Sequence, residues 1–503
     1  MERSTARIEL PLDVTTASRL RSSERMAVLA TSSAFFMIIL DTSIVNLALP
    51  SIGAELASTL VGLQWIVDGY ALVFASLLLG AGSLADRYGA RRVFMTGLSV
   101  FTLASALCSE APTITLLQIA RALQGIGAAL MLPTSLALLN HAIAEPKRRT
   151  QAISTWAGAG ALGIALGPVL GGGLVEAFGW RSIFAVNLPI GLAGLWLTWR
   201  HLPESPRSTV RSLDPFGQGF AILALAALTY ALISAGRAGA TDAVSLAAAC
   251  VFVIATAAFV ITESLVRHPM LPLDLFGRPG FSATAAVGLL HNVGIYGMIF
   301  VLSIGFQSVH ATGPVVAGLL FLPMTGGLAV GTRLGSRLLR SHGPHWLLVG
   351  GHFVAALGAL ALAELNISVL GPLLAAPLMV IGLGAGTTTP AMSLSILDSV
   401  DRSQSGLASG LLNGARQSGG VIGVALLGSL LGEPATFAGI RWAFFVAAGA
   451  LALAGMVAFS AWPRTKPRNA DRKEERSDRS GSLIGSLRVE KMDHRRAVGS
   501  EFD

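Results

Sequence analysis

The chain has 503 residues, 53% of them hydrophobic and only 13% charged, with 57 glycines and a mean hydropathy of +0.66. That composition excludes an ordinary soluble globular protein and indicates a polytopic membrane protein. The formal charge of +8 does not point to nucleic acid, because the arginines stand mostly in loops and tails beside apolar runs, where they set orientation in a bilayer.

Taken in chain order, residues 1–25 mix arginines with Glu2, Glu9, Asp13 and Glu24, which reads as a cytoplasmic tail and not as a signal peptide. Apolar runs of about twenty residues then predict helices at 26–49, 62–84, 92–110, 113–140, 150–176, 182–200 and 215–235. The second half adds 243–264, 280–306, 314–336, 345–364, 369–395, 406–431 and 440–461. The fold class is all-α, with fourteen transmembrane helices. Short loops on the side shared with the termini hold fourteen Lys and Arg, against three (Arg181, Arg237 and Arg441) on the other. That bias places both termini in the cytoplasm of a cell-membrane protein. Residues 462–503 mix charges of both signs without an apolar face and read as a disordered cytoplasmic tail.

Fourteen helices divide as six, two and six. The middle pair carries no charge in its interior and is flanked by polar stretches. The expected organisation is a six-helix bundle over 26–200, a linker with two additional helices over 201–279, and a second bundle over 280–461. The two cysteines, Cys108 and Cys250, lie in separate segments, and neither a metal-ligand cluster nor a G-x-x-x-x-G-K-[ST] phosphate loop occurs. No cofactor or metal is expected.

Between the second and third runs lies a tight charged turn, Gly82-Ser83-Leu84-Ala85-Asp86-Arg87-Tyr88-Gly89-Ala90-Arg91-Arg92. It resembles the loop signature of the major facilitator superfamily, in which Gly82 and Gly89 permit a close bend and Asp86 and Arg87 hold a conformational lock. Four further segments are similar to the fourteen-helix drug:proton antiporters of that superfamily: Leu40 to Pro50 (L-D-T-S-I-V-N-L-A-L-P), Arg121 to Ala128 (R-A-L-Q-G-I-G-A), Gly163 to Gly172 (G-I-A-L-G-P-V-L-G-G) and Trp180 to Gly191. The third is the pattern that marks antiporters in the family. The resemblance implies that Gly163, Gly167, Pro168 and Gly171 make a tight contact between bundles. It implies that Arg121 takes part in proton transfer, and that Asp86 meets the start of the helix at 406–431. In the second half, the counterpart of the charged loop, around Gly331 to His342, has arginines but no acid.

The residues themselves point to a site through charge at membrane depth. Asp41, Asp68, Arg121 and Arg416 lie inside apolar runs, where a charge costs several kcal/mol unless paired or wet. At about 1.5 Å of rise per residue, Asp41, Asp68 and Arg121 fall at similar depth and are expected to form one layer, with two carboxylates near one arginine leaving one able to exchange a proton. Asp41 and Arg121 are the expected proton-coupling pair. Asp68, with Trp65 and Tyr70, is the expected contact for an organic cation, through charge and cation–π attraction; anchoring at the membrane interface is an equal reading for the two aromatics. Asn413, Arg416 and Gln417 form a polar stripe with a gating, substrate or structural role, and His291 reads as a histidine bonded to a neighbouring helix. The function so indicated is a proton-driven exporter of amphipathic, cationic drugs working by alternating access, with small molecules, protons and the lipid bilayer as partners and no nucleic acid. The alternatives are a dedicated exporter of an endogenous antibiotic or metabolite and a non-transporting membrane sensor. No constellation for an enzyme appears.

Overall fold

The computed structural model describes residues 14–204, 214–266, 269–309, 311–365, 372–401 and 404–461. Both terminal tails beyond 14 and 461 and the loop at 205–213 lie outside this set. Among the described residues all regular structure is helical. In order these are α1 (Val14–Glu55), α2 (Leu60–Tyr88), α3 (Ala90–Ser109), α4 (Ile114–Ala142), α5 (Pro146–Phe178), the short α6 (Ser182–Ala185), α7 (Asn187–His201), α8 (Pro215–Ala238) and α9 (Ala243–Leu265). There follow α10 (Pro279–Ile304), α11 (Pro314–Leu320), α12 (Leu322–Glu364), α13 (Pro372–Asp398), α14 (Ser405–Ser429) and α15 (Phe437–Ser460).

Local chemistry sets the boundaries. Thr59, Thr113, Asp214 and Asp242 cap α2, α4, α8 and α9 by accepting from backbone N–H groups in the first turn. Pro146 and Pro279 open α5 and α10, where a missing N–H costs nothing. At Gly89 the backbone turns at φ 93°, which lets α2 end and α3 begin within one residue. Gly343, at φ 74°, breaks α12 into two arms. Twelve segments among the described residues are long and apolar enough to cross a membrane. One of them, Pro314–Glu364, is two crossings joined at Gly343, and α14 adds a 25-residue helix. The fourteen expected crossings are therefore all present, with α1 starting well before residue 26.

Helices α1 to α7 pack on one another, as do α10 to α15, and small residues bring their backbones together. Gly327, Gly331 and Gly335 of α12 rest on the backbone of Met379, Leu383 and Thr387 in α13. Gly419 and Gly423 of α14 rest in the same way on Leu289 and Val293 of α10. The additional helices differ: α9 leans mainly on α8, whereas α8 reaches both α2 and α14. Glu263, near the end of α9, is buried and accepts from the Leu271 N–H at 2.9 Å.

A seam separates the two sets. On the face away from the start of α1 and the end of α15 it is shut. The Leu60 N–H at the start of α2 donates to Glu433 at 2.9 Å, and the Val315 N–H of α11 donates to Glu176 of α5 at 3.2 Å. Between them the Ser303 hydroxyl of α10 donates to the Asn46 carbonyl of α1, and Gln64 of α2 donates to the carbonyls of Val424 and Ala425 in α14, each at 3.2 Å. Toward the start of α1, a Cβ built at Gly82 of α2, Gly158 of α5 or Gly406 of α14 would meet nothing within 4 Å.

Candidate functional site

Arg121 of α4 and Asp41 of α1 are 1% and 0% exposed and form an ion pair at 2.5 Å. The same guanidinium donates to Gln124 Oε1 at 2.7 Å and, through Nε, to the Ile66 carbonyl of α2 at 3.2 Å. The other oxygen of Asp41 accepts from Asn187 of α7 at 3.1 Å and from Gln124 at 3.4 Å, and Ser105 of α3 accepts from Gln124 at 2.7 Å. The Tyr70 ring stacks against the guanidinium, 4.2 Å from its carbon to the ring centroid. Five helices thus converge on one buried pair. Such a pair is stable only because the remaining lone pairs and N–H groups are satisfied. Gln124, at i+3 from Arg121, and Asn187 were visible in quoted motifs, yet nothing in the sequence assigned them to Asp41.

Asp68 does not join this layer. It is 0% exposed, and neither of its oxygens has a hydrogen-bond partner. The reason is helical phase. Ile66 and Tyr70, four apart, share the face of α2 that meets Arg121, and Asp68, two residues from each, is turned to the far side. There it lies in the quarter between Gln64, bonded to α14, and Trp65, whose ring centroid is 6.4 Å from that of Tyr230 in α8. Trp65 and Asp68 do share a face, as expected, but that face meets α8 and α14. Tyr70 is separated from them. Tyr230 was missed because a single tyrosine in an apolar run carries no signal of its own.

A small cavity lies at the seam beside the ion pair. Thr42, Asn46, Val67, Tyr70, Ala71 and Arg121 line one wall, and Tyr296, Gln417, Gly420 and Val424 the other. It offers about 20 Å³ for the centre of a water-sized sphere, room for about one water. Gln417 reaches the cavity, Asn413 donates to its own helix at Ser409, and Arg416 is half-buried with its Nε unpartnered, so the expected polar stripe divides three ways.

The glycine ladder of α5 also departs from expectation. A Cβ at Gly163, Gly167 or Gly171 would run into Ile39, Ser43 and Ile44 of α1, within the same bundle. The contact between bundles belongs to the adjacent face of α5, where Pro168 and Gly172 meet Gly318 and Pro314 of α11. In the charged turn, Arg91 and Arg92 pair with Glu204 at 3.3 and 3.5 Å, and exposed Arg87 lies over Tyr88. Gly82 makes no close approach, and Asp86 is half-buried. His291 of α10 contacts His352 of α12 at 3.2 Å, a histidine bonded to a neighbouring helix. Among the described residues no group of His, Cys, Asp and Glu is placed to hold a metal ion.

Known proteins share both the sequence and this architecture. The chain is 38% identical over 435 residues to the methylenomycin A resistance protein of Streptomyces coelicolor, covering 86% of this chain and 90% of that one. It is 36% identical over 414 residues to the drug efflux pump JefA of Mycobacterium tuberculosis, covering 81% and 80%. Its fold is similar, at a TM-score of 0.63 and 17% identity over 87% of this chain and 97% of that one, to a bacterial homolog of the human lysosomal transporter Spinster in an inward-facing, unoccupied conformation. The Major Facilitator Superfamily model matches residues 31–424. A membrane transporter of small molecules, not an enzyme, this chain belongs to the Major Facilitator Superfamily.

Proposed function

We propose that the chain is a proton-driven multidrug exporter of the cell membrane, with both termini in the cytoplasm, that carries amphipathic compounds, cationic ones among them, by alternating access. The observation that carries this reading is the buried Asp41–Arg121 pair, whose arginine also forms part of the cavity wall at the seam. A proton taken up by Asp41 would free Arg121 from its counter-charge, and the freed charge would bias the seam at the place where substrate must pass. The relatives named for drug efflux and antibiotic resistance support the substrate class. No cofactor enters; the proton gradient supplies the energy. One proton crossing about 100 mV yields roughly 2.3 kcal/mol, enough for roughly a fortyfold drug gradient at 1.4 kcal/mol per tenfold.

Asp68 supplies negative charge for a cation once α2, α8 and α14 part, with the Trp65 and Tyr230 rings as its walls. The division into bundles over 26–200 and 280–461, rocking about the midplane with the 201–279 hairpin between them, belongs to the same proposal. In it, Asp86 locks the cytoplasmic face in the alternate state. A narrower reading, a dedicated exporter of one antibiotic, is favoured by relatives whose names carry a single compound, such as the cephamycin export protein of Amycolatopsis lactamdurans. Dye efflux from cells expressing the protein, with and without an uncoupler, tests the main reading: uncoupler-sensitive efflux of several unrelated dyes supports it. Efflux of none, or of one compound only, rejects the multidrug reading.

A further inference from the structure

The two bundles treat their membrane-depth arginines in opposite ways. Arg121 in the first is enclosed by Asp41, Gln124 and the Ile66 carbonyl. Arg416 in the second has no described carboxylate in ion-pair range, and its Nε is buried without a hydrogen-bond partner. Its neighbours cannot neutralise it. The aliphatic stem packs at Gly288 of α10, and the charge lies within electrostatic reach of His291 and Tyr296 of the same helix. His291 brings an imidazole, bonded to His352 of α12. The Leu348 carbonyl can only accept, so His352 Nδ1 donates to it at 2.6 Å, and its Nε2 lies 3.2 Å from His291 Nδ1. Tyr296 brings a phenol, and Gln417 an amide.

Arg416 also stands at the seam. Gln417, the next residue, and Tyr296 both line the cavity, and Arg416 is one turn nearer the start of α14 than Gly420, which also lines it. A guanidinium at membrane depth without a counter-charge is costly, and the described residues offer none. The negative charge must arrive with whatever enters the seam. A planar fork of donors fits a carboxylate by two parallel bonds.

We propose that Arg416 is an anion subsite of the transport pathway, which takes the carboxylate of an amphipathic substrate while the rest of the molecule lies against Tyr296 and the apolar seam. It rests on the exporter reading and extends it: beside cations, the protein carries amphipathic carboxylates, zwitterions included, with their acid group on the second bundle.

The test uses two dyes with the same xanthene body, fluorescein, which bears a carboxylate, and rhodamine 6G, a cation whose acid is blocked as an ester. Binding is measured by fluorescence anisotropy on the full-length protein in phosphatidylcholine nanodiscs, so that no lipid anion competes. Arg416→Gln is expected to shift the ratio of the two dissociation constants about tenfold against fluorescein, the loss of a charge-assisted bond, and Arg416→Lys by less. Because an uncompensated charge is removed, Arg416→Gln without dye is expected to melt no lower than the parent, and fluorescein is expected to raise the melting temperature of the parent only. An unchanged ratio, no fluorescein binding by the parent, or a fall of several degrees in the variant's melting temperature would overturn the subsite. Proton-driven uptake of both dyes into proteoliposomes separates the two readings. If neither is transported while binding still depends on Arg416, the exporter reading fails and the subsite stands.

Discussion

Asp41 and Arg121 are the residues on which proton coupling is proposed to turn, and their environment makes the two substitutions unequal. Asp41→Asn keeps a group that Gln124 and Asn187 can still reach, so substrate binding should survive while uphill transport driven by a pH gradient is lost. Arg121→Ala leaves the Asp41 carboxylate buried and unpaired, a defect worth about 3–5 kcal/mol, and should lower the melting temperature by many degrees as well as abolish transport. Equilibrium binding, thermal melting and vesicle transport on the same preparations separate these outcomes. Uphill transport by Asp41→Asn would move the proton site elsewhere, with Asp68 the next carboxylate to examine. For Asp68→Asn, export of divalent cations is expected to fall more than that of monovalent ones, read as efflux rates of two matched dye series; equal loss argues against contact with the drug. Charge at membrane depth was legible because it violates the composition around it, which is why Asp41, Asp68, Arg121 and Arg416 stood out from the sequence. The partner of Arg121 was not. Choosing between two carboxylates depends on a half-turn of α2, and that rotation is set by α8 and α14 packing on its other side, a long-range fact no local pattern holds.

At the level of the helix, apolar runs were enough to place all fourteen crossings, because hydrophobic length is a local quantity. The partners of a helix face are not local. Gly163, Gly167 and Gly171 announced a close contact by their spacing of four, and the contact exists, but its other side is α1 and not the opposite bundle. The consequence is testable. Gly167→Val would press a branched side chain into Ser43, and overpacking of this kind costs about 1–3 kcal/mol. Membrane insertion, read from the yield of folded protein, should persist, since the apolar run is untouched, while dye efflux should fall severalfold because α1 carries Asp41. Normal efflux from Gly167→Val would remove the packing argument.

Across the molecule, the opposite face is held by two caps in which each bundle lends a carboxylate to the start of a helix in the other: Glu433 to α2 and Glu176 to α11. Removing either should favour the state open on that face by about fivefold, on a cap worth about 1 kcal/mol. The two lie at separate ends of the seam, so Glu176→Gln combined with Glu433→Gln should be close to additive. Distances between spin labels at the outer ends of α2 and α14 would report the shift; unchanged distance distributions in the double variant would show that other contacts carry the closure.

Two anchored points on a rigid body define a line, and rotation about that line is the one motion that leaves both anchors intact. Glu433 and Glu176 therefore act as the pins of a door as well as its latch: while they hold, the bundles can still swing apart at the end where α1 begins, without any leak at the other. Releasing the pins is what hands the axis over to the terminal side, so a pathway open at both ends would require both sets of contacts to fail together.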